Sequence, residues 1–98
     1  MLKHIVMWDI SDEIDNKEEI AHKIKEKLEV LNDLIDELKF IEVGVNTNPS
    51  EAAKDLVLYS EFIDENHLNR YQKHPEHLKV VEFIKKHVAS RVVVDYKV

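Results

Sequence analysis

The chain contains no cysteine. That excludes a disulfide framework, thiolate zinc sites, iron–sulfur ligation and a cysteine nucleophile. It has one glycine, Gly44, and two prolines, Pro49 and Pro75. A single glycine cannot build a phosphate-cradling loop. So little punctuation also leaves no linker, repeat or low-complexity tract. Basic residues are scarce beside acidic ones, 14 against 20, for a formal net charge of −6. The imbalance sits in the first half, where 12 acidic residues face 6 basic ones before residue 51; beyond it there are 8 of each. Such a surface repels nucleic acid and anionic lipid. No basic cluster is longer than Lys85-Lys86, so neither a nucleic-acid nor a membrane partner is expected. No apolar run approaches the roughly 20 residues that span a bilayer. The opening Met1-Leu2-Lys3-His4-Ile5 has no signal-peptide apolar core, so the expected location is cytoplasmic. No serine stands in a nucleophile-elbow context.

What is present is the mixture of a folded chain: 98 residues, 44% hydrophobic and 35% charged. The expectation is one domain over residues 1–98. A domain of this size buries only about 60–70% of its unfolded surface, so a sizeable cavity is expected only where a second chain helps to wall it.

Six elements can be read. Leu2 to Ile10 alternates as a strand, with His4, Val6 and Trp8 on one face and Ile5 and Met7 on the other. Asp15 or Asn16 can cap a helix, with Glu18 or Glu19 as capping-box partner. Ile20, Ile24, Leu28, Leu31 and Ile35 then recur at helical spacing, predicting one long amphipathic helix over 17–36. Its alternating charges form a solvated outer face. A second strand is expected over 39–46, where Gly44 suggests a bulge or a close backbone approach. Thr47-Asn48-Pro49-Ser50 ends it as a turn, and 50–54 has room for one helical turn. A third strand follows over 56–63. A helix begins at Asp64 and breaks at His74-Pro75, because the residue before proline avoids helical torsions. Pro75 restarts it at a first-turn position, with Leu78, Val81, Ile84 and Val88 as an apolar stripe. Residues 91–98 read as the last strand.

The order β-α-β-β-α-β is that of the ferredoxin-like split βαβ fold, an α+β class. Both helices fit on one sheet face. Ile5, Met7, Val57, Tyr59, Ile63 and Val93 are assigned to the other, which a second copy of the chain would cover sheet to sheet. An obligate homodimer is therefore expected.

The chemistry-bearing residues cluster in Tyr71-Gln72-Lys73-His74-Pro75-Glu76-His77. His67, Tyr71 and His74 are spaced to share a helical face. The proline break can turn Tyr71 and His77 toward a common pocket, with His4 facing it from the first strand. Histidine suits a general base near neutrality, and a tyrosine hydroxyl suits a donor to a developing enolate. Such a pair could run an aldol condensation, an isomerisation or an enolisation without a cofactor. Each residue also has a structural reading. His74 can cap the restarted helix, His4 can be a hydrogen-bonded core histidine, Tyr71 can pack its ring at an edge, and His77 can make a structural hydrogen bond. His4, His74 and His77 offer three nitrogens to a metal, but no carboxylate completes the set and no metal or other cofactor is expected. Trp8 reads as a core or interface residue.

Several blocks together carry a family likeness: Lys3-His4-Ile5-Val6, Val43-Gly44-Val45-Asn46, Asp55-Leu56-Val57-Leu58, and Tyr71 with His74-Pro75-Glu76-His77. In order and spacing over nearly the whole chain, they resemble the stress-responsive dimeric α/β-barrel (A/B barrel) domain family. One departure is Leu34-Ile35-Asp36-Glu37-Leu38-Lys39, which stands where that family often has a Pro-Gly turn. The resemblance implies a ferredoxin-like protomer in a homodimeric barrel, a small-molecule ligand between helices and sheet, and no established activity for most members. It also implies a second reading. In a plant branch of polyketide cyclases, exemplified by olivetolic acid cyclase, the pair that performs aldol ring closure corresponds to Tyr71 and His77. A pocket histidine there corresponds to His4. On that reading His77 is the base, Tyr71 the hydrogen-bond donor and His4 a supporting polar wall.

Overall fold

The computed structural model describes residues Met1–Val98. Alternation makes Leu2–Ile10 a strand, β1, with its even-numbered residues buried. Ile20, Ile24 and Leu28, four residues apart, form the buried stripe of α1 (Lys17–Glu29). A short helix α2 (Leu31–Leu34) follows, then β2 (Phe40–Val45) and β3 (Leu56–Phe62). Helix α3 (Glu65–Lys73), α4 (Pro75–Lys85) and β4 (Val88–Lys97) complete the chain. The sheet has the order β2-β3-β1-β4, antiparallel throughout. This is the ferredoxin-like arrangement, with both helical segments on one face. One apolar cluster fills the space between helices and sheet. No helix is long and apolar enough to cross a membrane.

The expected long helix over 17–36 is two helices, because the chain turns at Val30. The apolar spacing runs through that turn: Leu28, Leu31 and Ile35 are all buried. Ile35 and Leu38 also anchor the segment that stands in place of a Pro-Gly turn. Asn16 is the N-cap of α1, but its side chain bonds the Glu19 carboxylate rather than a backbone N–H. Residues 50–54 form a turn and no helix. Gly44 sits in register opposite Val57 without a bulge. A Cβ there would lie 3.2 Å from Val57 Cγ1, so the close approach is the reason for glycine.

The His74-Pro75 break is observed and has a local cause. His74 is extended (φ −63°, ψ 135°), and its Nδ1 accepts the Glu76 N–H at 3.1 Å as the N-cap of α4. Asp64 caps α3 in the same way, accepting the His67 N–H at 2.9 Å.

Register corrects one assignment. Val93 pairs with Val6, and β4 therefore turns Val93 toward the helix side. The open face carries Val92, Val94 and Tyr96 from β4 instead, beside Met7, Ile5 and Lys3. The last strand also starts at Val88 rather than 91, after a register shift between Asp9 and Ile10.

The two sheet edges are finished differently. On β2, Glu29 Oε2 accepts the Val43 N–H at 3.0 Å, and Lys25 Nζ donates to the Val43 carbonyl at 2.6 Å. Side chains of α1 thus occupy that edge. On β4, Val92, Val93 and Val94 are all about half exposed.

Candidate functional site

A cavity of about 310 Å³ lies between α4 and the β1–β4 half of the sheet. One chain walls all of it except an open side, so its formation does not await a second chain. The size is at the low end of the ~300–1,000 Å³ usual for small-molecule sites. Val6 and Trp8 from β1, Leu58 from β3, Val88 from β4 and Leu28 from α1 make the apolar floor and back; Val81 and Ile84 of α4 make the roof. Helix α4 and β4 are joined by residues 86–87, and both contribute to the walls of this space. The polar lining is His4, Gln72, His77, Lys85 and Arg91.

His77 is held by the helix break. Its Nδ1 donates to the Gln72 carbonyl at 3.0 Å, across the interruption between α3 and α4. A carbonyl only accepts, so Nδ1 carries the proton. In the neutral ring Nε2 is then the acceptor, and it has no partner within the protein. Burial pushes the imidazole below its ordinary range, and the Gln72 hydrogen bond opposes this only in part; nearby His4, Arg91 and His74 add to the depression. A neutral, proton-accepting His77 at pH 7 follows.

His4 is buried, and its Nδ1 donates to the Asp95 carboxylate at 2.5 Å. Asp95 stands directly opposite His4 in the β1–β4 register. The pair lies 91 residues apart in sequence and was not singled out there. A carboxylate one strand away fixes the ring and its tautomer, as outer partners do for working histidines. His4 thus has the hydrogen bond of a satisfied core histidine and also lines the cavity.

Tyr71 is fully buried (0% exposed) and packs against His77, with ring centroids 4.4 Å apart, and against Phe62 at 5.0 Å. Its ring backs His77 but does not line the cavity. Its hydroxyl is buried without a hydrogen-bond partner. Burial alone drives its ionisation far above the usual phenol range, so the group is a neutral O–H. An unpartnered buried hydroxyl costs about 1–3 kcal/mol. Such a cost marks a group that a bound molecule could satisfy.

Of the sequence-predicted residues, His77 and His4 therefore share the cavity, and Tyr71 stands one layer behind. His74 is engaged as a helix cap and His67 with Asp64. Nowhere in the chain do three side chains of metal-ligating type come together. Sequence reasoning gave no site role to Gln72, though it lies in the polar-aromatic cluster, nor to Lys85, Arg91 or Asp95. The register between strands was the only signal that could have found Asp95.

Residues 2–98 match the family model described as Stress responsive A/B Barrel Domain, and the chain belongs to that family. A Streptomyces coelicolor protein, itself uncharacterised, is 28% identical over 97 residues, covering 99% of each chain. A dimeric ferredoxin-like protein of unknown function from Bacteroides fragilis is 34% identical, with a TM-score of 0.91 over 99% of this chain and 95% of its own. A second dimeric ferredoxin-like protein, from Thermobifida fusca, is 23% identical with a TM-score of 0.86, covering 99% and 90%; that likeness shows the fold alone.

Proposed function

We propose that this stress-responsive A/B barrel protein works as a homodimer that binds a small, mainly apolar molecule in the cavity under α4, with His77 as the polar anchor. The observation that carries the reading is the His77 tautomer. Its Nδ1–H is committed to Gln72, which leaves a free Nε2 acceptor in a mostly apolar cavity. A few convergent polar groups in an apolar cleft are the usual make-up of a ligand site. The homodimer is supported by the dimeric Bacteroides fragilis relative and by the half-exposed apolar face of the sheet.

A thermal-shift screen of carbonyl compounds that also carry a hydroxyl donor for Nε2 tests the reading. A ligand at 100 times its Kd stabilises by about 2.7 kcal/mol. The expected result is a hit that weakens sharply in His77→Ala. Hits that stabilise the variant as well as the wild type would remove His77 from the site.

A second reading is cofactor-free proton transfer on such a carbonyl compound. It is favoured by the neutral His77, whose Nε2 can take a proton, and by the unused Tyr71 hydroxyl, which can donate to the developing oxyanion. His4, held by Asp95, is then the supporting polar wall. Because the hydroxyl is sealed behind His77, this role requires the Tyr71 ring to shift on binding. Deuterium exchange at the carbon next to the carbonyl, followed by NMR, checks it. Exchange that equals the buffer rate in the presence of saturating ligand rejects catalysis and leaves binding.

A further inference from the structure

The polar lining of the cavity has a sign. Although 20 of the 98 residues are acidic, none lines this space, whereas Lys85 and Arg91 both do. Both are exposed, and neither makes a salt bridge or a side-chain hydrogen bond in this chain. Other cations of the chain do find carboxylates, as Lys3 with Glu61, Lys17 with Asp12, Lys25 with Glu29 and Lys54 with Asp9. What sets Lys85 and Arg91 apart is place: they are two unpaired cations on the rim of one apolar cavity that no carboxylate lines, in a chain of net charge −6.

The positions have a structural logic. Lys85 ends α4 and Arg91 lies on β4, and both elements line the cavity. Arg91 faces the helix side, opposite Trp8, so its guanidinium and the apolar floor belong to one space. The nearest acidic partner along that side of β4, Asp95, is already taken by His4. Arg91 also acts on the site electrostatically, being among the causes that depress His77.

We propose that the ligand is a monocarboxylate with an apolar body, its carboxylate held at the open side by Arg91 and Lys85 and its apolar part against Trp8, Leu28 and Leu58. This rests on the cavity being the binding site. A guanidinium takes a carboxylate in two parallel hydrogen bonds, and an ammonium adds a point charge. A phosphate is a poorer fit, because the site has no glycine loop or cluster of backbone N–H groups to share its charge and its walls are apolar.

The test compares octanoate, octanamide and inorganic phosphate by calorimetric titration of the intact protein, with Arg91→Gln and Lys85→Gln beside the wild type. Both side chains are exposed, so neither variant disturbs the core. Octanoate is expected to bind at least about tenfold more tightly than octanamide. That preference should fall in each variant, while octanamide affinity stays as it was. Equal affinities for acid and amide would overturn the anchor and leave the cavity standing. A preference that survives both variants would overturn the assignment to Arg91 and Lys85. Phosphate binding as tight as octanoate would reduce the site to a surface cation pair, an adventitious ion only. Binding of none of the three would overturn the anchor and the cavity reading together.

Discussion

On the helix side of the sheet, Val6, Leu58 and Phe62 are closed to solvent. On the other side, Met7 of β1 and its neighbours Val92 and Val94 of β4 stand 39% to 52% exposed. The strands alternate in both cases, but only one face has helices to cover it. The covered face repeats large apolar residues, and the polar ones buried there are paired: Ser60 donates to the His4 carbonyl, and His4 bonds Asp95. The open face mixes valines with one compact polar group. There Glu61 accepts from Lys3 and from Tyr59, each at 2.6 Å, which holds the Lys3 ammonium well above its ordinary range. A solvated face has no use for a half-exposed apolar patch of Met7, Val92 and Val94 or for internally neutralised charges. A face that a second sheet covers needs both. Function divides the same way: the cavity opens on the helix side, and the proposed partner takes the other.

Substitutions can break or sharpen that contrast. The largest expected effect is on the covered face, where Phe62→Ala should cost about 3–5 kcal/mol in urea denaturation. A loss below 1 kcal/mol would mean the core collapses around the gap. Val94→Glu, on the open face, should cost about 3 kcal/mol of association and give a folded monomer in sedimentation. Val93→Glu, one residue away on the helix side, should leave the sedimentation unchanged; equal dissociation in both would erase the distinction between the faces. Tyr71→Phe deletes a buried hydroxyl with no partner, so it should raise stability by about 1 kcal/mol in the free protein. A loss instead would mean the hydroxyl is satisfied in solution.

The smallest effect is pH dependence at His77. Its folded imidazole is held below the unfolded value near 6.5. The unfolded chain therefore binds the proton more readily, so this residue's contribution is present above about pH 6.5 and is lost as pH falls below it. His77→Gln should flatten the stability profile over that window, measured as the difference between the two urea midpoints. An unchanged profile would assign the buried, neutral histidine to another position.

Much of this was legible in the sequence. Period-two alternation gave β1 and β3 close to their true ends, and the His74-Pro75 break was read from proline's own geometry. His77 was found because it follows that break. The rest was not carried by local pattern. The turn at Val30 is invisible to periodicity, since Leu28, Leu31 and Ile35 keep helical spacing across it. Val93 was placed on the wrong face because Val92, Val93 and Val94 are equally apolar, so nothing local sets their parity. Only pairing with β1 does, and the same pairing brings Asp95 to His4 and Arg91 to the cavity. Tyr71 shows the limit for the site. The proline break suggested that it and His77 would turn toward a common pocket, but its ring packs against His77 and Phe62, one layer behind the cavity.

The central claim is that His77 presents a free proton acceptor to the cavity. Nitrogen-15 NMR of the imidazole rings at pH 7, with His77→Gln to assign the signal, tests it most directly. The account predicts a neutral ring with its proton on Nδ1, and an Nε2 signal that shifts when a ligand with a hydroxyl donor is added. A protonated ring, or a neutral ring with its proton on Nε2, would contradict it.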